Sequence, residues 1–238
     1  MNETNLTNTH YPQKGLGSNV LKCIAMAAMF CDHFSVVFFG DGMTALRWIG
    51  RLAFPIYCFF VAVGSTRTSS IPRYLRRLLV FALISEIPFD LAFWGKPLEL
   101  AHQNVFFTLF GGLFSIWCLR LLKEKKPALT FLAVLPLGAA CVLTEFFGTD
   151  YGAMGVLAIF VFYLVLQTKR QGLYILGLFA ATFVIALDLP YIFTYSIEIF
   201  LRYPVNSYEL GALAAVPLML LYTGKRGLQV NKYLFYSF

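Results

Sequence analysis

Between residues 20 and 222 the chain runs through a succession of apolar segments, at roughly 20–40, 44–64, 74–94, 104–122, 127–146, 152–167, 172–187 and 208–222. An α-helix needs about 20 apolar residues to cross about 30 Å of hydrocarbon, and most of these segments approach that length. This repetition constrains the fold more than any single motif does. A backbone in lipid must satisfy its own hydrogen-bonding groups, so segments of this kind fold as helices and pack as a bundle. Composition agrees: 59% of the 238 residues are hydrophobic and 13% are charged, against about 25% charged in soluble domains. The expectation is an all-α, polytopic transmembrane bundle of about eight spans. It would comprise a flexible tail over 1–18, the bundle over 19–224 and a basic tail over 225–238. Tyr191 to Phe200 is apolar enough to form an extra half-helix.

The net charge of +7 could suggest a nucleic-acid partner, but the cations sit in short clusters between apolar runs. Arg67, Arg73, Arg76 and Arg77, then Arg120, Lys123, Lys125 and Lys126, then Lys169 and Arg170, then Lys225, Arg226 and Lys232 mark alternate connections. The intervening connections hold only Lys96 and Arg202 beside several carboxylates. That asymmetry places both termini in the cytoplasm and makes membrane lipid, not nucleic acid, the partner. The first segment lacks a small-residue cleavage pattern and is read as retained. Cys23, Cys31, Cys58, Cys118 and Cys141 are scattered without paired spacing, so neither a disulfide framework nor a metal site is expected.

Within the spans the polar residues are few. Asp32 and His33 lie in the first segment; Arg47 and Arg51, four apart, lie at the start of the second. Glu86 and Asp90 share a face of the third on either side of Pro88, and Asn104 opens the fourth. The alternating topology puts all seven at one depth, in the outer half of the bilayer. Ionisable groups there are expensive unless they pair or do chemistry. His33, with an ordinary pKa of about 6.5, can accept a proton from a hydroxyl or amine near neutral pH; the alternative is a helix-packing hydrogen bond. Asp32 points about 100° around the helix from His33 and is better placed to pair with an arginine of the second segment. Glu86 and Asp90 either balance the arginines in an ion-pair ladder or contact substrate. An arginine left available could stabilise an oxyanion, because it keeps its charge in a dry site. Arg73, Arg76 and Arg77 either mark the cytoplasmic side or bind the phosphates of a nucleotide-like cofactor. Asp150 can cap the helix that follows it, and Asp150 or Tyr151 could also touch substrate.

Several of these residues stand in longer runs. Leu21-Lys22-Cys23-Ile24-Ala25-Met26, Asp32-His33 and Arg47-Trp48-Ile49-Gly50-Arg51-Leu52-Ala53-Phe54-Pro55-Ile56 resemble the TraX family of membrane proteins. So do Tyr74-Leu75-Arg76-Arg77-Leu78, Ser85-Glu86-Ile87-Pro88-Phe89-Asp90, Asn104-Val105-Phe106-Phe107-Thr108-Leu109 and Asp150-Tyr151-Gly152 with Gly155-Val156-Leu157. The resemblance covers most of residues 20–165. It implies a relative of the F-type pilin acetylase, similar also to the acyltransferase-3 group, in a bacterial cytoplasmic membrane. It further implies transfer of an acetyl group from acetyl-CoA to a hydroxyl or amine of a pilin, a surface glycan or a small molecule. His33 would be the base, with Asp32, Arg47 and Arg51 completing the catalytic set. Glu86, Asp90, Asn104, Asp150 and Tyr151 would meet the acceptor, and Arg73, Arg76 and Arg77 the cofactor. A proton-coupled transporter or channel, or a non-catalytic part of a surface-assembly system, would use buried charges differently. The sequence leaves the acceptor and the oligomeric state open.

Overall fold

The computed structural model describes residues 11–39, 44–186 and 207–227. The start of the expected N-terminal tail, the apolar stretch at 191–200 and the end of the basic C-terminal tail lie outside the described residues. The described chain is helical, with no strand beyond two isolated bridges. Its helices are α1 (Ser18–Phe39), α2 (Thr44–Gly50), α3 (Ala53–Arg67), α4 (Ile71–Trp94), α5 (Val105–Lys125), α6 (Val134–Phe146), α7 (Gly152–Gln167), α8 (Gln171–Ala186) and α9 (Ala215–Leu220). Short 3-10 segments, Pro127–Ala133 and Ser207–Ala214, lead into α6 and α9. Four stretches are long and apolar enough to cross a membrane: Ser18–Phe39, Ala45–Arg67, Val105–Lys125 and Pro127–Phe146. α4 is longer still, at 24 residues, but carries three arginines and two carboxylates.

The second expected span is not one continuous helix. It breaks at Arg51-Leu52, between α2 and α3. Pro55, in the first turn of α3, has no N–H to give to the Arg51 carbonyl, and its ring crowds that carbonyl. Arg51 is therefore set at a turn instead of mid-helix.

The chain divides into two compact units, 1–57 with 165–238, and 58–164. In the first, α1 packs on α2, α2 packs on the Ser207–Ala214 segment, and that segment packs on α8. Two glycines set how closely these elements approach. A Cβ at Gly50 would stand 2.3 Å from the Asp32 Cβ, and one at Gly211 would stand 2.4 Å from the Trp48 carbonyl oxygen. Small residues at such crossings let backbones meet.

The same unit joins the two ends of the described chain. Leu16 N–H donates to the Leu221 carbonyl at 2.7 Å, and Thr223 N–H returns a bond to Leu16 at 3.0 Å. The first two N–H groups of α1, on Ser18 and Asn19, donate to the carbonyls of Lys225 at 2.9 Å and Arg226 at 3.1 Å. These donors have no intrahelical acceptor, so the C-terminal segment acts as the cap of α1. Tyr11 and Tyr222 meet edge to face at 5.0 Å, and the Tyr174 ring at the start of α8 is buried within electrostatic reach of both hydroxyls. Residues of the expected tail, from Tyr11 onward, are thus built into this clasp.

In the second unit α5 is central, packing on α4, on α6 and on the Pro127–Ala133 segment. Gly112 opens its surface: a Cβ there would come within 2.5 Å of Ile159 Cδ1 on α7. Ser70 caps α4 by accepting the Arg73 N–H, Pro72 stands in its first turn, and Gly95 ends it in the left-handed region at φ 66°. Asn104 caps α5 by accepting the Phe106 N–H at 3.0 Å.

Candidate functional site

The expected polar residues fall into two groups, one in each unit. In the first, Asp32 on α1 faces the turn of the broken second span. Arg47 Nη1 donates to Asp32 Oδ2 at 3.0 Å, and Arg51 Nη2 stands 3.9 Å from Asp32 Oδ1. The first contact is a hydrogen-bonded ion pair; the second is beyond hydrogen-bond range and is held by charge alone. The three side chains are between 11% and 16% exposed, so little water screens them. Two guanidinium groups thus approach the one Asp32 carboxylate. Gly50 makes this geometry possible, since any larger residue would occupy the space of the Asp32 carboxylate. His33, half-buried, lies within electrostatic reach of Asp32, Arg47 and Arg51. The expected pairing of Asp32 with the second span is therefore present, with the imidazole beside it.

In the second unit Glu86 and Asp90 are buried, at 7% and 0% exposure. No ion-pair ladder forms on them among the described residues: their partners are neutral donors. Glu86 Oε2 accepts the Asn104 N–H at 3.2 Å and a short bond from the Asn104 side-chain amide, which also donates to the Ala82 carbonyl at 2.8 Å. Asp90 Oδ2 accepts the Glu99 N–H at 2.7 Å and so pins the loop between α4 and α5. Glu99 in turn accepts from Lys96 at 3.2 Å and from the Ala101 N–H at 3.3 Å. That N–H, and then the Lys96 ammonium, hold the Glu99 carboxyl below the usual carboxylate range. Glu86 Oε1 and Asp90 Oδ1 are buried and accept no hydrogen bond among the described residues.

The loop before α7 closes on the same end of this unit. Thr108 and Thr149 hydroxyls meet at 2.8 Å, and Thr108 also donates to the Asp150 carbonyl. Asp150 N–H donates to the Gln103 carbonyl at 2.9 Å. Glu145 brings a carboxylate to the first turn of α7, accepting the Ala153 N–H at 2.7 Å, a pairing across eight residues that no sequence rule anticipates. Tyr151 is a non-glycine residue with positive φ, at 62°, a conformation kept only where its surroundings enforce it. Arg73, Arg76 and Arg77 are exposed on one face of the first turns of α4, with the Arg77 guanidinium over the Tyr74 ring at 5.5 Å. The five cysteines are free, and no group of three metal-ligating side chains forms among the described residues.

Residues 17–238, nearly all of the chain, match the sequence profile of the family described as TraX protein. The chain belongs to the TraX family. It is also similar to the probable fimbrial assembly protein FimC, serogroup H1, of Dichelobacter nodosus, with 36% identity over 112 residues. That alignment takes in 40% of this chain and 43% of the relative, so the match spans less than half of the relative's length. No solved structure matches this TraX chain. The TraX profile takes in both polar groups and the clasp from Gly17 onward. Sequence reading gave no partner to several supports of these groups: Gly50, Glu99, Thr108, Glu145 and Thr149. Glu145 and Thr149 stood out only as polar residues at the ends of spans.

Proposed function

We propose that this TraX protein is an integral membrane acyltransferase of about eight spans, with both termini in the cytoplasm, that moves an acetyl group from acetyl-CoA to an acceptor hydroxyl or amine. The observation that carries the reading is the Asp32-centred pair of arginines beside His33, in a chain whose apolar helices suit a membrane. His33 takes the acceptor proton as the nucleophile adds to the thioester carbonyl. Arg47 or Arg51 meets the oxyanion that forms. Collapse of the intermediate breaks the carbon–sulfur bond, and the imidazolium returns its proton to the departing thiolate. Asp32 orients the guanidinium groups. Glu86 Oε1 and Asp90 Oδ1, with Asn104, Asp150 and Tyr151, supply acceptor contacts, while Arg73, Arg76 and Arg77 hold the phosphates of the donor.

The acceptor fits a subunit of a surface fibre, a reading supported by the fimbrial-assembly name of the relative. The test is transfer or hydrolysis of labelled acetyl-CoA by the purified protein in lipid. His33→Ala should abolish turnover while leaving the protein folded. Loss of one oxyanion donor, Arg51→Ala, should cost about 3–4 kcal/mol in the barrier. Unchanged turnover in His33→Ala removes the base, and failure of the unmodified protein to bind or hydrolyse the donor removes the enzyme.

A further inference from the structure

The clasp that joins the chain ends gathers charge as well as backbone. Lys225 and Arg226, exposed, are held over the first turn of α1 because their carbonyls cap it. Lys22, one turn into α1, lies within electrostatic reach of Arg226. Lys14 is exposed on the segment that leads into the clasp. Tyr174 ties the start of α8 to Tyr11 and Tyr222, and this brings the exposed Lys169 and Arg170, which immediately precede α8, to the same end of the unit. Six cations therefore share one end, and residues 11–27, 165–176 and 221–227 contain no Asp or Glu.

A sidedness signal requires only that cations lie on one side of the membrane. It does not require the chain to bring them together against their mutual repulsion, as the clasp does through close glycine contacts. A Cβ at Gly17 would stand 2.6 Å from the Gly227 Cα, and one at Gly15 would stand 2.2 Å from the Leu221 carbonyl oxygen. The charge sits where α1, an apolar helix of spanning length, begins. Directly below, on the first turns of α8, Leu173, Ile175 and Leu176 are exposed at 50%, 42% and 62%. Cations above and uncovered aliphatic side chains beneath match a molecule with an anionic head and hydrocarbon chains, and a free phosphate would use only the upper half.

We infer that the clasp end of the first unit binds the phosphate headgroup of an anionic phospholipid, with the acyl chains lying along α8. The lipid bridges the segments around Lys14 and Lys225–Arg226 to α8, reinforcing the cap on the helix that carries Asp32 and His33. This inference stands apart from the acyltransferase reading and does not need it.

The experiment uses the full chain in nanodiscs of phosphatidylcholine titrated with phosphatidylglycerol, with retained lipid counted by native mass spectrometry. Each basic residue near a membrane surface contributes about fivefold in affinity, equivalent to about 1 kcal/mol. Lys225→Gln with Arg226→Gln should therefore weaken phosphatidylglycerol retention about 25-fold. Lys169→Gln with Arg170→Gln, which leaves the clasp backbone untouched, should do the same and decides the matter if the first variant does not fold. Lys125→Gln with Lys126→Gln, in the second unit, should change retention less than about twofold. Coenzyme A or inorganic phosphate at millimolar concentration should not displace the lipid. Retention unchanged in the α8-side variant, equal loss in the second-unit control, or displacement by coenzyme A would each overturn the inference, the last by assigning the cations to a soluble phosphate.

Discussion

Removal of the Asp32 carboxylate tests the organisation of the first polar group. At an effective dielectric of about 20, charges 3.0 Å apart attract by about 5.5 kcal/mol and charges 3.9 Å apart by about 4.3 kcal/mol. Much of this is offset by the desolvation of side chains that are 11–16% exposed. What separates the two arginines is the hydrogen bond, because Arg47 donates one to Asp32 and Arg51 approaches without one. A charged hydrogen bond contributes about 1.5–3 kcal/mol. Asp32→Ala should thus cost about 3–5 kcal/mol, the penalty of leaving buried cations uncompensated. Double-mutant cycles read by reversible unfolding in mixed micelles should give a coupling of about 2–3 kcal/mol between Asp32 and Arg47, and about 1 kcal/mol or less between Asp32 and Arg51. Asp32→Asn keeps the shape and one acceptor, and should recover part of the loss. Equal couplings, or a larger one for Arg51, would refute the reading of Arg47 as the hydrogen-bonded partner of Asp32.

Three other perturbations probe the second unit and the loop. Asn104→Ala removes the cap of α5 and both side-chain amide bonds, to Glu86 and Ala82; a loss of about 2–4 kcal/mol is expected by unfolding, and a loss below about 0.5 kcal/mol would contradict the role. Gly112→Leu forces a side chain onto Ile159 and should destabilise by about 1–3 kcal/mol or more, whereas Gly138→Leu, where a Cβ meets nothing within 4 Å, should be near neutral. The Glu99 carboxyl is held below its unfolded value of about 4.3, so its support of the α4–α5 loop is complete above that pH and is lost as pH falls through the lower, folded value. The protection factor of the Ala101 amide, taken against the intrinsic exchange rate at each pH, should fall on acidification through this range, and Glu99→Gln should remove that pH dependence of protection.

The helices themselves were legible because lipid imposes one length and one backbone solution, so runs of apolar residues marked α1, α3, α5 and the rest within a few positions. The pairing of Asp32 with the second span followed from its angle to His33. The break at Arg51-Leu52 was also written locally, in Pro55. The partners of Glu86 and Asp90 were not. Carboxylates expected at the depth of two arginines read as members of an ion-pair ladder, yet one oxygen of each is bonded instead by an amide or by backbone N–H groups 9 and 18 residues away. The cap of α7 by Glu145 and the threonine pair 41 residues apart are contacts of the same kind, invisible to any local pattern.

Sequence alone therefore determined that the chain is a helical membrane protein with ionisable groups on the first three apolar segments, because hydrophobicity, charge and proline act over one or two turns. Tertiary structure decided which of those groups meet, and that residues 221–226 close over the start of α1. Hydrogen bonds and close glycine contacts depend on distances between segments far apart in the chain, and only packing sets those distances.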